Sequence, residues 1–193
     1  MTQSFDALGV SAEVVAKLEA GGIHNPFPVQ AMVVPAALAG TDILAKSPTG
    51  SGKTLAFGLP IVQRLDADAK TPAALVLVPT RELAVQVTEA LETIAPAHDL
   101  TVATAYGGVP LKGQGKRAAS SHILVATPGR LQDLVDRRLV SLDAVQILVL
   151  DEADRMLDMG FQPQVDRIVR RIPGPRQTLF FSVSYTHLTL PTN

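Results

Sequence analysis

The amino-acid sequence predicts a three-layer α/β domain built on a mainly parallel central sheet. Three observations point there. Apolar runs of strand length recur, and several are apolar on successive residues rather than alternating, as in Ala74–Val78 (ALVLV) and Ile147–Leu150 (ILVL). Strands of that kind are covered on both faces, as in a parallel sheet between helical layers. The segments between them carry helix-period stripes and helix boundary residues. The chain has 193 residues, 47% hydrophobic and 18% charged, which fits one globular domain burying roughly two-thirds of its unfolded surface.

Each element follows in order. A short helix is predicted over Val29–Leu38, with Gly40 just beyond it, then a short strand at Ile43–Ala45. A glycine-rich turn leads into a helix over Lys53–Leu65. After the strand Ala74–Val78, Pro79 and Pro96 bracket a helix over Thr80–Ala95, a sharp start and stop. Its residues Leu83, Val87, Leu91 and Ile94 form one apolar stripe, Thr80 suits the N-cap and Glu82 the first turn. Strands at Thr101–Ala105 and Ile123–Ala126 flank Gly107–Ser121, which reads as a loop because glycine occupies 107, 108, 113 and 115. Helices over Leu131–Arg137 and Gln164–Arg171 surround the strand Ile147–Leu150, and Thr178–Phe181 is the last strand. No internal repeat or interdomain linker interrupts this alternation.

Composition excludes several classes. The chain has no cysteine, which removes disulfides, zinc ribbons and thiol chemistry. Its net charge is −1, so a nucleic-acid partner has to be met by a local basic patch rather than by overall steering. No basic leader precedes an apolar core and no window holds 18 apolar residues, so neither secretion nor membrane crossing is expected, and a cytoplasmic setting is the default.

Two stretches concentrate the chemistry. The strand at Ile43 runs into Ser47-Pro48-Thr49-Gly50-Ser51-Gly52-Lys53-Thr54 and then a helix. Gly50 and Gly52 let backbone N–H groups turn toward a polyphosphate, and the helix adds its positive end. Lys53 reaches the outer phosphates, and Thr54 offers its hydroxyl to Mg²⁺. The strict pattern asks for glycine where Ser47 stands, which leaves a plain glycine-rich turn before a helix as the alternative. The second stretch is ILVLDEAD, where a strand stops at three carboxylates in four positions, Asp151, Glu152 and Asp154. A carboxylate at a strand end opposite a phosphate loop is where such sheets hold Mg²⁺. Asp151 fits the ion, through water, and Glu152 fits the orientation or deprotonation of an attacking water. The alternative is an acidic helix start favoured by the helix dipole. It does not account for the accompanying phosphate loop.

With these motifs in place the chain resembles the N-terminal RecA-like domain of the DEAD-box RNA helicases, over about Phe5 to Ser182. Asp151-Glu152-Ala153-Asp154 is the naming motif, and Pro79-Thr80-Arg81-Glu82-Leu83-Ala84, the Gly107-Gly108 pair and Thr127-Pro128-Gly129-Arg130 match further signatures in the family's order. The resemblance implies a RecA-like phosphate-loop NTPase domain over residues 31–182, an adenine-recognition region over residues 1–30, and ATP and Mg²⁺ as cofactors. It implies that Gln30 reads the adenine edge and that Phe5 stacks on the ring. Phe27 stands where the family often has threonine, and Ile23 where it often has an aromatic; neither makes the two-bond adenine contact. Pro79, Thr80, Arg81, Gly108, Thr127, Gly129 and Arg130 are implied to line a path for RNA. Amides at helix starts, hydroxyls and arginines suit sugar–phosphate contacts, so binding is expected to be largely sequence-independent. Lys112, Lys116 and Arg117 read as a solvated basic cluster.

The family's next motif, Ser-Ala-Thr, couples hydrolysis to unwinding and approaches the last aspartate, Asp154. Here Ser182-Val183-Ser184 stands in its place, with Ser184 a partial substitute. Residues 183–193 read as an atypical tail foreign to the domain. The family also has a second RecA-like domain that supplies an arginine finger, and none of it is found in these residues. The expected function is therefore the ATP- and RNA-binding half of an ATP-dependent RNA helicase. The alternatives are a nucleotide- and RNA-binding fragment without turnover and another phosphate-loop ATPase acting on DNA.

Overall fold

A computed structural model describes residues 3–48 and 50–183. Thr49 and Ser184 of the expected site lie outside the described residues. Six strands form one sheet: β1 (Ile43–Lys46), β2 (Ala74–Leu77), β3 (Val102–Ala105), β4 (Ile123–Ala126), β5 (Ile147–Leu150) and β6 (Gln177–Ser182). Their order is β1-β6-β5-β2-β4-β3. Every pairing is parallel, which sharpens the expected mainly parallel sheet.

The helices are α1 (Ala12–Ala20), α2 (Pro28–Leu38), α3 (Lys53–Arg64), α4 (Arg81–Ile94), α5 (Leu111–Ser120), α6 (Pro128–Asp136), α7 (Ala153–Asp158) and α8 (Gln162–Arg170). Two cores explain the unbroken apolar strands. Ile147 and Val149 join a core with residues of α1 to α4, whereas Leu148 and Leu150 join a second core with residues of α5, α6 and α8. Successive side chains of one strand thus serve opposite helical layers.

Three helices differ from the sequence reading. Residues 111–120 are helical rather than a loop. Gly115 is the reason glycine misleads there: a Cβ on it would sit 3.0 Å from Leu139 Cβ and 3.3 Å from Leu134 Cδ2, so the small residue lets the helix approach its neighbour. Lys112, Lys116 and Arg117 are accordingly exposed on α5. The second is α1, whose Val14 and Leu18 are buried on one face, and the third is the six-residue α7, whose Ala153 and Met156 are buried.

Candidate nucleotide and nucleic-acid site

All six strands run the same way, so both chemical stretches and the expected RNA-lining loops emerge at one end of the sheet. The phosphate loop leaves β1 and enters α3. Gly50 and Gly52 adopt φ +80° and +84°, a left-handed conformation that costs an L side chain about 1–2 kcal/mol. Ser47 is 1% exposed, and its amide donates to Ser182 O at 2.9 Å, extending the β1–β6 pairing into the loop. The Ser47 and Ser51 hydroxyls are hydrogen-bonded to each other, and Ser51 Oγ donates to Pro48 O at 2.7 Å. The serine in place of glycine therefore braces the loop from within.

Lys53, the first residue of α3, reaches across to the end of β5. Its Nζ lies 2.9 Å from Asp151 Oδ1 and 3.2 Å from Glu152 Oε1. All three side chains are buried. The expected opposition of lysine and carboxylates across one cleft is thus formed. Lys53 donates a hydrogen bond to Glu152 and forms an ion pair with Asp151. Both Asp151 oxygens are buried with no hydrogen-bond partner. Burial pushes the Asp151 carboxyl above its ordinary range; Lys53 opposes this and the charge of Glu152 adds to it.

Glu152 carries a second constraint that the sequence does not announce. It adopts φ +52°, ψ +48° as the N-cap of α7, a left-handed geometry of the strained kind found at functional sites. Its other oxygen, Oε2, accepts from Arg155 Nη1 at 3.1 Å. Its carboxylate is thus held between two cations. Arg155 at three residues' spacing was the available signal, since residues i and i+3 share a helix face. Asp154 Oδ2 accepts from Val183 N at 3.1 Å, so the last aspartate touches the chain just after β6. Ser182 is buried.

Gln30 is fully buried. Its Oε1 accepts from Phe27 N at 2.9 Å and its Nε2 donates to Gly52 O at 2.8 Å. The amide expected to read a base is therefore tied to the phosphate loop, with one N–H and one lone pair left over. Phe5 is 2% exposed and sits in the first core, because it packs the start of the chain onto that layer. This corrects the expectation of a stacking ring: no face of Phe5 is presented to a base.

The expected RNA-lining residues converge at the ends of β2, β4 and β3. Thr80 caps α4, accepting from Leu83 N at 3.2 Å. The Arg81 guanidinium lies over the Tyr106 ring at 4.8 Å from the centroid. Arg130 Nη1 donates to Val109 O at 3.0 Å and to Gln114 Oε1 at 2.7 Å, which ties the loop after Gly108 to α6. Thr127 begins α6 with its side chain making no capping bond. Gly108 and Gly129 are exposed, while Pro79 is buried and shapes the turn. Hydroxyls, exposed glycine backbone and a stacked arginine at one rim suit phosphate contacts.

A phosphate loop at one strand end, carboxylates at the next but one and a sheet that switches direction of growth between them define a RecA-like nucleotide-binding domain. The DEAD/DEAH box helicase family model matches residues 27–189. The DEAD-box ATP-dependent RNA helicase CshA of Streptococcus pneumoniae is 42% identical over 93% of this chain and 34% of its own length. The DEAD-box ATP-dependent RNA helicase 52A of Oryza sativa subsp. japonica is 45% identical, over 94% of this chain and 34% of its own length. A crystal structure of a DEAD box protein from the hyperthermophile Methanococcus jannaschii has a TM-score of 0.90 at 33% identity, over 95% of this chain and 51% of that one. The chain belongs to the DEAD/DEAH box helicase family. It spans about one third of the length of the curated relatives it matches. Among the described residues no helix is long and apolar enough to cross a membrane.

Proposed function

We propose that this chain is the ATP- and RNA-binding half of an ATP-dependent RNA helicase, which in the whole protein couples ATP hydrolysis to unwinding of RNA duplexes. The observation that supports it best is the bridge from Lys53 to Asp151 and Glu152. A lysine held by two carboxylates at a phosphate loop is available to exchange those anions for a triphosphate. In this reading residues 1–30 recognise adenine, residues 31–182 form the ATP-binding domain, and a second RecA-like domain of the whole protein completes the site. A cytoplasmic setting belongs to the same reading.

Residues of this chain have distinct tasks. The loop from Ser47 to Thr54, Thr49 included, wraps the phosphates, with amides after Pro48 as the donors, and Lys53 neutralises them. Gln30 turns its remaining donor and acceptor to the adenine edge. The two buried Asp151 oxygens without hydrogen bonds fit a hard cation, and Asp151 with Thr54 would hold Mg²⁺. An ion held there would take its other ligands from phosphate and water. That ion supplies charge neutralisation of the phosphates. Glu152 orients the attacking water. Asp154, Ser182 and Ser184 link the site to the chain after β6, and Thr80, Arg81, Gly108, Thr127, Gly129 and Arg130 hold RNA by its backbone, with Pro79 shaping the rim.

A second reading concerns residues 1–193 expressed by themselves: they hold nucleotide and RNA without appreciable turnover, because an arginine finger worth about 10³–10⁵ in rate where it operates would come from outside them. Binding titrations with ADP, with and without magnesium, test the site, and Lys53→Ala is expected to weaken binding at least ten-fold. Competition between single-stranded RNA and DNA of equal length tests the substrate. Equal preference would overturn the RNA assignment, and robust RNA-stimulated ATPase from these residues would overturn the second reading.

A further inference from the structure

We propose that Phe27, rather than Phe5, supplies the face on which the base of a bound nucleotide stacks, in a groove between the first turn of α2, β1 and the phosphate loop. The inference rests on the nucleotide-binding reading of the site.

Elimination among the aromatics of the described residues comes first. Of six phenylalanines, Phe5, Phe57, Phe180 and Phe181 are all buried at 4% exposure or less. Phe161 packs against the second core, and Tyr106 lies under Arg81 at the end of β3. Phe27 is 53% exposed. A single exposed apolar side chain is ordinary, so its exposure alone would mean little. Its surroundings make the difference. The Phe27 backbone amide donates to Gln30 Oε1, so the backbone that carries the ring is held to the residue expected to read the base edge. A Cβ on Gly52 would lie 2.7 Å from Phe27 Cδ2 and 2.6 Å from Gln30 Nε2. Ring and amide therefore both sit against the phosphate loop, and only glycine at 52 leaves room for them.

The ring also borders a groove of about 620 Å³ whose walls include Met32, Leu44, Ser47, Pro48 and Ser51. Met32 and Leu44 are themselves exposed at 78% and 44%. The groove thus joins an apolar wall to the phosphate loop, as a nucleoside phosphate requires. A flat heterocycle gains about 1–3 kcal/mol from an aromatic face, whichever base it is. Phe27 then contributes affinity, while Gln30 contributes the choice of base.

The test compares ligands that share phosphates and differ in the base. Dissociation constants for ADP and for inorganic tripolyphosphate, both with magnesium, are measured for the parent, Phe27→Ala and Phe27→Trp. Phe27→Ala is expected to weaken ADP about ten-fold and to leave tripolyphosphate unchanged. The chain has no tryptophan, so Phe27→Trp provides a lone fluorophore, whose emission ADP is expected to quench and tripolyphosphate is not. Phe27→Ala binding ADP as tightly as the parent, or a Phe27→Trp emission unmoved by saturating ADP, would overturn the proposal while leaving the nucleotide site standing. A parent that binds neither ligand would overturn both. Circular dichroism confirms folding of each variant.

Discussion

Replacing Lys53 by methionine keeps an unbranched apolar stem and removes the charge that bridges two buried carboxylates. At an effective dielectric of about 20, each contact at 2.9 and 3.2 Å is worth about 5–6 kcal/mol in gross attraction, most of it offset by desolvation of the ions. Removing one partner of a buried pair has a measured cost of about 3–5 kcal/mol. Protonation limits the loss, because placing a proton on an ordinary carboxyl at pH 7 costs about 4 kcal/mol. The expected destabilisation is therefore about 3–4 kcal/mol, or about 6–16 °C in Tm for a chain of this size. Its pH dependence has a definite sign. Asp151 is already pushed up by burial, and losing Lys53 pushes it further. An acid whose folded pKa exceeds its unfolded value binds more protons when folded, so the penalty is absent below the unfolded value and grows as pH rises through the folded one. Thermal melts at pH 5 and pH 7 should show the gap between parent and Lys53→Met narrowing at the lower pH. Adding Asp151→Asn to Lys53→Met should recover more than half of the loss. A Lys53→Met variant melting within 2 °C of the parent at pH 7, or a gap independent of pH, would refute the electrostatic account of the site.

Gly52→Ala should lose nucleotide affinity and about 2 kcal/mol of stability, since its φ of +84° and the atoms within 2.7 Å both resist a Cβ; calorimetry of ADP binding and a melt check the two parts. Thr80→Ala should cost about 1 kcal/mol through loss of the α4 cap, with Thr80→Ser close to the parent in chemical denaturation. Arg155→Met should change stability by less than about 1 kcal/mol, because its side chain is 57% exposed and water screens the pair. A double-mutant cycle with Glu152→Gln measures that coupling, and a value above about 2 kcal/mol would contradict the assignment of a screened contact.

Much of the architecture was legible because each strand reports its own burial. ALVLV and ILVL have to be covered on both sides, and the two cores that take alternate residues of β5 show why. Lys53, Asp151 and Glu152 were legible for a related reason: a cluster of acids at a strand end is tolerable only beside a cation, and the phosphate loop held the nearest one. What escaped was set by packing rather than by local pattern. Gly113 and Gly115 read as breakers, yet Gly115 is small because Leu139 presses on it. In α1 the Val14–Leu18 pair, preceded by Ser11 and followed by Gly21, offered a weak signal that a nine-residue helix rarely makes decisive. Phe5 is buried and Phe27 exposed, and no sequence pattern tells which of two rings a layer of helices will cover. The reach of Arg155 to Glu152 depended on a left-handed backbone at Glu152 that no residue type there foretells.

The bond from Val183 N to Asp154 Oδ2 has a mechanical meaning. The polypeptide leaves β6 held against the acidic turn, one residue from the start of α7, so the end of the last strand and the carboxylate motif are coupled. A displacement of the end of β6 would be passed to a carboxylate two positions from Glu152, which Lys53 and Arg155 hold in turn. The ends of the neighbouring strands β5 and β6 are thereby joined through a backbone amide and a side-chain carboxylate as well as through the sheet.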